Sequence, residues 1–188
     1  MRIGVMGAKG SFSEEAGRTY AKKWLKNKKF TLDYLISAEN VLSELEKGTI
    51  DVGVFPIENS NGGIVLEAVY AMAKHNFSIK KIFEIDVHHN LLVKKGVTAD
   101  KIKVIASHDQ ALKQCRTYLR RVWPNVKIQD YVDTAKAAED LAKGKLAASV
   151  AVVASRNAAE TYKLDILEES IQDLKFNYTS FIAAEKLK

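Results

Sequence analysis

Short apolar runs alternate along this chain with segments whose apolar residues recur at helical spacing, and that alternation calls for a sheet built with helical crossovers. Arg2 to Met6 reads as a short buried strand, broken at Gly7 and Gly10 before a helix that starts near Ser13. Thr31 to Leu35 is strand-like, Ala38 to Lys47 helical, Val52 to Pro56 a continuous apolar strand and Ile64 to Lys74 helical. A helix between two strands returns the chain to the end where it began, so strands joined this way lie parallel.

After His75 the character changes. Phe77 to Val93 holds two extended stretches, followed by strand Lys103 to Ser107, helix Gln110 to Trp123, strand Lys127 to Val132 and helix Ala135 to Lys143. This predicts a second α/β lobe. Ala148 to Ala154 is another apolar strand, Arg156 to Tyr162 a short helix, Asp165 to Leu167 extended, and Thr179 to Ala184 a last strand. No Pro/Gly/Ser-rich linker and no repeat separates the lobes. The chain is therefore expected to cross between them near His75 and near Ala154, with residues 1–75 and 155–188 in the first lobe and 76–154 in the second. A cleft between two such lobes is where a small molecule binds.

Composition removes several classes of function. With 188 residues, 47% of them apolar and 28% charged, the chain has ordinary globular usage. Cys115 is the one cysteine, so no intramolecular disulfide can form and a reducing compartment suits the chain. The longest near-apolar stretch, Ala147 to Ala154, is far short of the roughly 20 residues that span a bilayer. The N-terminus meets Gly7 too early to supply the apolar stretch of a signal peptide, so a cytoplasmic protein without membrane contact is expected. Much of the net charge of +6 lies in Lys22 to Lys29, at the end of the first helix. Lysines there suit the helix dipole, and no nucleic-acid motif accompanies them, so no nucleic-acid partner is expected. A basic surface also attracts an anionic substrate.

Several segments carry candidate chemistry. Gly7-Ala8-Lys9-Gly10-Ser11-Phe12-Ser13 places hydroxyls and backbone amides at a helix start, which favours anions, although Ser13 with Glu14 and Glu15 also reads as a cap. The glycine spacing is not that of a dinucleotide fingerprint or a phosphate loop. Pro56-Ile57-Glu58-Asn59-Ser60-Asn61-Gly62-Gly63 follows the end of an apolar strand, where ligand sites of parallel sheets gather, or is an ordinary turn. His88 and His89 would point to opposite faces of a strand and could not share a metal, and no metal site is expected. Ser107 and His108 stand where a strand gives way to a helix, as ligand contacts or as capping and packing groups. Cys115 reads as core. Asp133-Thr134-Ala135 opens another helix with donors, and Asn177-Tyr178-Thr179-Ser180-Phe181 brings hydroxyls into the last strand. Neutral donors at helix starts and strand ends, with few carboxylates, describe a site for a polyanion.

In this order these residues resemble the catalytic domain of prephenate dehydratases over almost the whole chain. Gly7-x-x-Gly10-Ser11-Phe12-Ser13 is similar to the family's opening glycine motif, and Val54 to Ser60 to its Pro-Ile-Glu-Asn-Ser segment. His89-Asn90-Leu91-Leu92 matches its His-x-Leu-Leu. Ser107-His108-x-Gln110-Ala111-Leu112-x-Gln114-Cys115, Thr134-Ala135-x-Ala137-Ala138, Ala151 to Ser155 and Ile171-Gln172-Asp173 follow in place. The family's final Asn-x-Thr-Arg-Phe reads Asn177-Tyr178-Thr179-Ser180-Phe181 here. Ala8 and Asp109 replace family prolines, and Ser180 replaces a guanidinium that could orient a carboxylate or position the strand.

The resemblance implies an α/β protein of the type II periplasmic-binding-protein kind, two lobes with a cleft between them. It implies a lyase that turns prephenate into phenylpyruvate in phenylalanine biosynthesis, without a metal or organic cofactor. Thr179 is implied as the catalytic group, and Ser11, Ser13, Asn59, Ser60, Ser107, Gln110, Thr134 and Phe181 as substrate-binding residues. The partner is then the small molecule prephenate, and the resemblance also allows a homodimer. The chain ends at Lys188, soon after the Thr179 motif, so an ACT regulatory domain in the same chain is expected to be absent. Arogenate dehydration, a decarboxylation that leaves the ring unaromatised, and a non-catalytic two-lobed binder of small acids stay open as alternatives.

Overall fold

The structure, a computed structural model, describes residues 1–26 and 28–187. Asn27, inside the basic run, and Lys188, the last residue of the expected first lobe, lie outside the described residues. In chain order the elements are β1 (Arg2–Val5), α1 (Phe12–Trp24), β2 (Thr31–Tyr34), α2 (Ala38–Lys47), β3 (Val52–Asn59), β4 (Gly63–Ile64), α3 (Leu66–Met72) and β5 (Phe77–Asp86). Then come β6 (Asn90–Val93), β7 (Val104–Ser107), α4 (Asp109–Gln114), α5 (Arg116–Val122), β8 (Lys127–Asp130), α6 (Thr134–Ala142), β9 (Val150–Ala154), α7 (Arg156–Tyr162), β10 (Asp165–Glu168) and β11 (Tyr178–Lys186). They form two compact units: Met1–Ala8, Phe12–Asp86 and Tyr178–Lys188 in one, Lys9–Ser11 and Val87–Asn177 in the other.

The first unit is a six-stranded sheet in the order β2-β1-β3-β11-β5, with β4 added to β3. β1 runs parallel to β2 and β3, as the crossover pattern requires, whereas β11 is antiparallel to both its neighbours. α2 shows how local sequence sets an element. The Ser37 hydroxyl accepts the Asn40 amide at its start, and Gly48, at φ 77°, ends it in the left-handed region that glycine adopts without strain. Val41, Leu42 and Leu45 fall on one face and pack with Phe55 and Ile182. A Cβ on Gly53 would stand 2.6 Å from Val41 Cγ1, so glycine in β3 lets the helix seat on the strand.

The second unit is a five-stranded sheet in the order β10-β6-β9-β7-β8. Neighbouring residues of its inner strands feed different cores: Leu91 and Val153 pack with Ile105, Cys115 and Leu119, while Leu92 and Val152 pack with Leu141 and Ala158. A strand buried on both faces reads as an unbroken apolar run, and Val150–Ala154 is one.

Partner choice explains where the chain crosses between units. β5 pairs with β11 from Phe77↔Lys186 to Asp86↔Tyr178, and β10 pairs with β6 at Asp165↔Val93. Apart from the short segment Lys9–Ser11, the units accordingly change after Asp86 and after Asn177, whereas the hydropathy pattern suggests His75 and Ala154. Periodicity marks a strand but not the sheet it joins. The expected single helix from Gln110 to Trp123 is also two, because the Asp173 carboxylate accepts the amides of Thr117 and Tyr118, both at 2.8 Å, and starts α5 afresh after Cys115. No described helix is long and apolar enough to cross a membrane.

One ionic cluster of the first unit makes stability depend on pH. His75 Nδ1 lies 2.7 Å from Glu46 Oε2 and Nε2 3.0 Å from Glu39 Oε1, both on α2. Only the imidazolium can donate from both nitrogens. The bond to Glu46 raises the His75 pKa against the opposing cost of burial, and the bonds to His75 lower Glu46 and Glu39. A raised histidine contributes stability that is complete below its unfolded value near 6.5 and is lost as pH rises through the folded value. The melting temperature is expected to fall as pH rises above about 6.5, and His75→Gln to flatten that slope. A slope unchanged in the variant would remove His75 as its source.

Candidate active site

The first unit brings Thr179 opposite Asn59 in the β3/β11 register. Thr179 is 9% exposed, and its Oγ1 accepts a hydrogen bond from Asn59 Nδ2 at 2.8 Å. The same amide nitrogen reaches the Tyr178 carbonyl at 3.2 Å. Asn59 Oδ1 accepts the amides of Asn61 at 3.0 Å and Gly62 at 2.7 Å, an Asx turn that fixes which end of the side chain faces Thr179. Ser60 closes the same corner, its amide donating to the Tyr178 carbonyl at 2.8 Å and its hydroxyl accepting the Tyr178 amide at 3.0 Å. A threonine hydroxyl has one hydrogen and two lone pairs. With Asn59 as donor, one lone pair is occupied, and no described residue accepts the hydrogen.

The neighbours of Thr179 face other tasks. Phe181 is 1% exposed and stacks on Phe83 with centroids 6.0 Å apart, in a cluster with Tyr20 and Trp24 of α1. Such a ring fixes the strand, and its burial leaves no surface for a ligand. Ser180 points to the opposite face of the sheet from Thr179, where its hydroxyl lies 3.4 Å from Glu84 Oε1. Ser13 is buried in the first turn of α1. The adjacent Glu14 is also buried and is neutralised by Arg18, whose Nη2 lies 2.7 Å from Glu14 Oε1.

In the second unit the segment Lys9–Ser11 is held by α7. Ser155 caps α7 by accepting the Ala158 amide at 3.0 Å and donates to the Gly10 carbonyl at 2.7 Å, and the Tyr162 hydroxyl donates to the Lys9 carbonyl at 2.9 Å. Gly10 has φ 86°, and a Cβ there would stand 3.1 Å from Ala158 Cα, so the docking requires glycine. Ser11 follows, 7% exposed. Thr134 is the half-buried first residue of α6, which Asp133 caps by accepting the Lys136 amide at 2.7 Å. Gln110 is exposed in the first turn of α4, and His108 is that helix's cap, its Nδ1 accepting the Gln110 amide at 3.3 Å. Ser107 is fully buried and donates its hydrogen to the Val153 carbonyl at 2.6 Å, so it ties β7 to β9 and has no hydrogen left for an anion.

A buried polar network accounts for motif residues to which no role was attached from sequence. His89 Nε2 lies 2.8 Å from Gln114 Oε1, which also accepts from Asn177 Nδ2 at 2.8 Å. Gln172 Oε1 accepts the His89 amide at 3.1 Å, and the Asp173 amide donates to the Gln114 carbonyl at 2.8 Å. Burial pushes His89 down to about 4, so at neutral pH the ring is uncharged. Burial likewise pushes the Cys115 thiol up, as befits a core residue. The sequence signal for the network was available: polar side chains inside apolar strands and helices must find partners.

The prephenate dehydratase family model matches residues 3–188. A prephenate dehydratase of Methanocaldococcus jannaschii is 35% identical over 95% of this chain and 62% of its own length. Arogenate dehydratase 5 of Arabidopsis thaliana is 35% identical over 97% of this chain and 41% of its own. The chain therefore spans about 62% and 41% of these two relatives. Among solved structures, the prephenate dehydratase of Arthrobacter aurescens in complex with L-Phe covers all of this chain with 61% of its own, at TM-score 0.88 and 24% identity. A periplasmic substrate-binding protein of Coxiella burnetii covers 97% of this chain with 84% of its own, at TM-score 0.52 and 14% identity, so the fold is of the periplasmic-binding-protein kind expected from the sequence. With the family model running from residue 3 to the end and the motif residues falling on these strands and helix starts, the chain belongs to the prephenate dehydratase family.

Proposed function

We propose that this chain converts prephenate to phenylpyruvate with loss of carbon dioxide and water, as a step of phenylalanine biosynthesis. The observation that carries this reading is the Thr179 hydroxyl, oriented by Asn59 and with its hydrogen available to a ligand. In the reaction the bond from ring carbon to carboxylate breaks, its electron pair enters the ring, and the ring C–O bond breaks as hydroxide leaves with a proton. Thr179 donates a hydrogen bond or the proton to that departing oxygen. A threonine is a weak acid, so orientation and the aromatisation of the ring supply most of the drive. In the first unit Ser13 and Ser60 are neutral donors suited to a substrate carboxylate, with Asn59 positioning the threonine, and in the second unit Ser11, Gln110 and Thr134 are donors of the same kind. Ser107 and Phe181 hold the strands that present these groups. A cytoplasmic setting and a homodimer belong to the same reading.

Arogenate, which carries an amino group where prephenate has a keto oxygen, is the second reading, favoured by the equal 35% identity of the Arabidopsis relative. Parallel measurement of kcat/KM on both substrates decides between them. A preference for prephenate supports the first reading, and turnover of arogenate alone overturns it.

Two further outcomes follow from the geometry. Asn59→Ala frees the Thr179 rotor and is expected to lower kcat by roughly 10- to 100-fold with little change in KM, since misplacement costs orientation rather than contact. Wild-type kinetics in that variant would disconnect Asn59 from the chemistry. Ser180→Arg is expected to leave kcat and KM near wild type, because a guanidinium on that face meets Glu84 in an exposed pair worth at most about 1 kcal/mol. A several-fold lower KM would show that position 180 reaches the substrate.

A further inference from the structure

The second unit contains a cavity of about 370 Å³ between α4, α5 and β8, lined by none of the residues assigned above to the reaction. Its apolar part is made by Leu112, Leu119, Trp123, Val126 and Ile128. Leu119 is buried, while Ile128 remains 43% exposed on an edge strand whose four residues are all exposed. The Trp123 ring is held in place by its indole N–H, which donates to Glu168 Oε2 at 3.0 Å. A wall of this kind keeps its shape without a ligand, and covering it removes apolar surface from water.

The rim is charged in a particular way. Lys113, Arg116 and Arg120 supply three cations, and Asp109 and Asp130 two carboxylates. Asp109 is used by Lys113, one turn further along α4. Arg116 and Arg120 stand one turn apart on α5, and neither has an ion pair or side-chain hydrogen bond among the described residues. Adjacent like charges on a helix repel one another, so an anion placed between them is favoured, and guanidinium groups receive carboxylates in bidentate fashion. An apolar body with a few convergent polar groups, in a volume of this size, is the usual form of a small-molecule site.

We propose that this cavity binds a small monocarboxylate with an apolar, ring-sized body, the carboxylate on Arg116 and Arg120 and the body against Leu119, Trp123 and Ile128. The site does not depend on the reaction assigned to Thr179. The test uses 3-phenylpropanoate as probe, titrated into the isotope-labelled protein and followed by amide and indole NMR shifts, with 3-phenylpropanamide as the uncharged control. Saturable shifts of the Trp123 indole and of α5 amides are expected with the acid, with affinity at least tenfold weaker for the amide. In the R116Q/R120Q double variant, whose exposed substitutions leave the core untouched, the acid is expected to lose at least tenfold in affinity at an unchanged melting temperature. Equal binding of acid and amide, equal binding by the variant, or shifts confined to Asn59 and Thr179 with none at Trp123 would each overturn the proposal.

Discussion

Thr179→Val is expected to lower kcat by at least about 100-fold while the protein stays folded. Valine keeps the shape and the β-branch that suits a strand and removes only the hydroxyl. The group left behind is the Asn59 amide nitrogen, which retains the Tyr178 carbonyl at 3.2 Å and its turn contacts through Oδ1, so little stability is lost. What disappears is the Thr179 hydroxyl hydrogen, which no described residue accepts. Because that hydrogen matters when the C–O bond breaks, the loss belongs in kcat rather than in KM. Steady-state kinetics and a thermal melt on the same preparation check both halves. Undiminished turnover in a well-folded variant would take Thr179 out of the mechanism.

Gln114→Met is expected to have the largest effect on stability, about 2–3 kcal/mol, which for a chain of this length lowers the melting temperature by roughly 5–10 °C. Gln114 Oε1 accepts from both His89 and Asn177, which are 4% and 0% exposed, so one substitution removes an acceptor from two buried donors. Methionine fills nearly the same volume, which keeps a cavity from confusing the result. Asn177 keeps the Val87 carbonyl at 3.1 Å, so the larger part of the loss falls on His89. The network has an acid limit too. A histidine held down to about 4 contributes stability that is full above its unfolded value near 6.5 and is lost as pH falls toward the folded one. A melt within about 0.5 kcal/mol of wild type would mean that water replaces Gln114 at no cost.

Hydropathy carried most of the architecture. α2 and α7 appear with the bounds the spacing predicted, and the buried run at Val150–Ala154 was plain because both its faces are covered. Pairing was not legible in the same way. That Phe77–Asp86 lies beside β11 rather than opening the second unit is a choice between distant segments, as is the place of β10 beside β6. The site divided along the same line. Thr179, Asn59 and Ser60 could be singled out by motif, but that Asn59 addresses Thr179 is a consequence of register across strands 120 residues apart in the chain. For Ser107 and Phe181 the sequence shows residue type and position but not that the hydroxyl of one donates to the Val153 carbonyl and the ring of the other stacks on Phe83. His89, Gln114 and Asn177 come from three separate segments, and only folding makes them one network.

The most direct test of the account is the mass of the product formed when the purified protein is incubated with prephenate at neutral pH, beside Thr179→Val under the same conditions. The account predicts phenylpyruvate, lighter than prephenate by one carbon dioxide and one water, from the wild-type protein and little of it from the variant. A product that has lost carbon dioxide but kept the hydroxyl, or saturable binding with prephenate recovered unchanged, would contradict it.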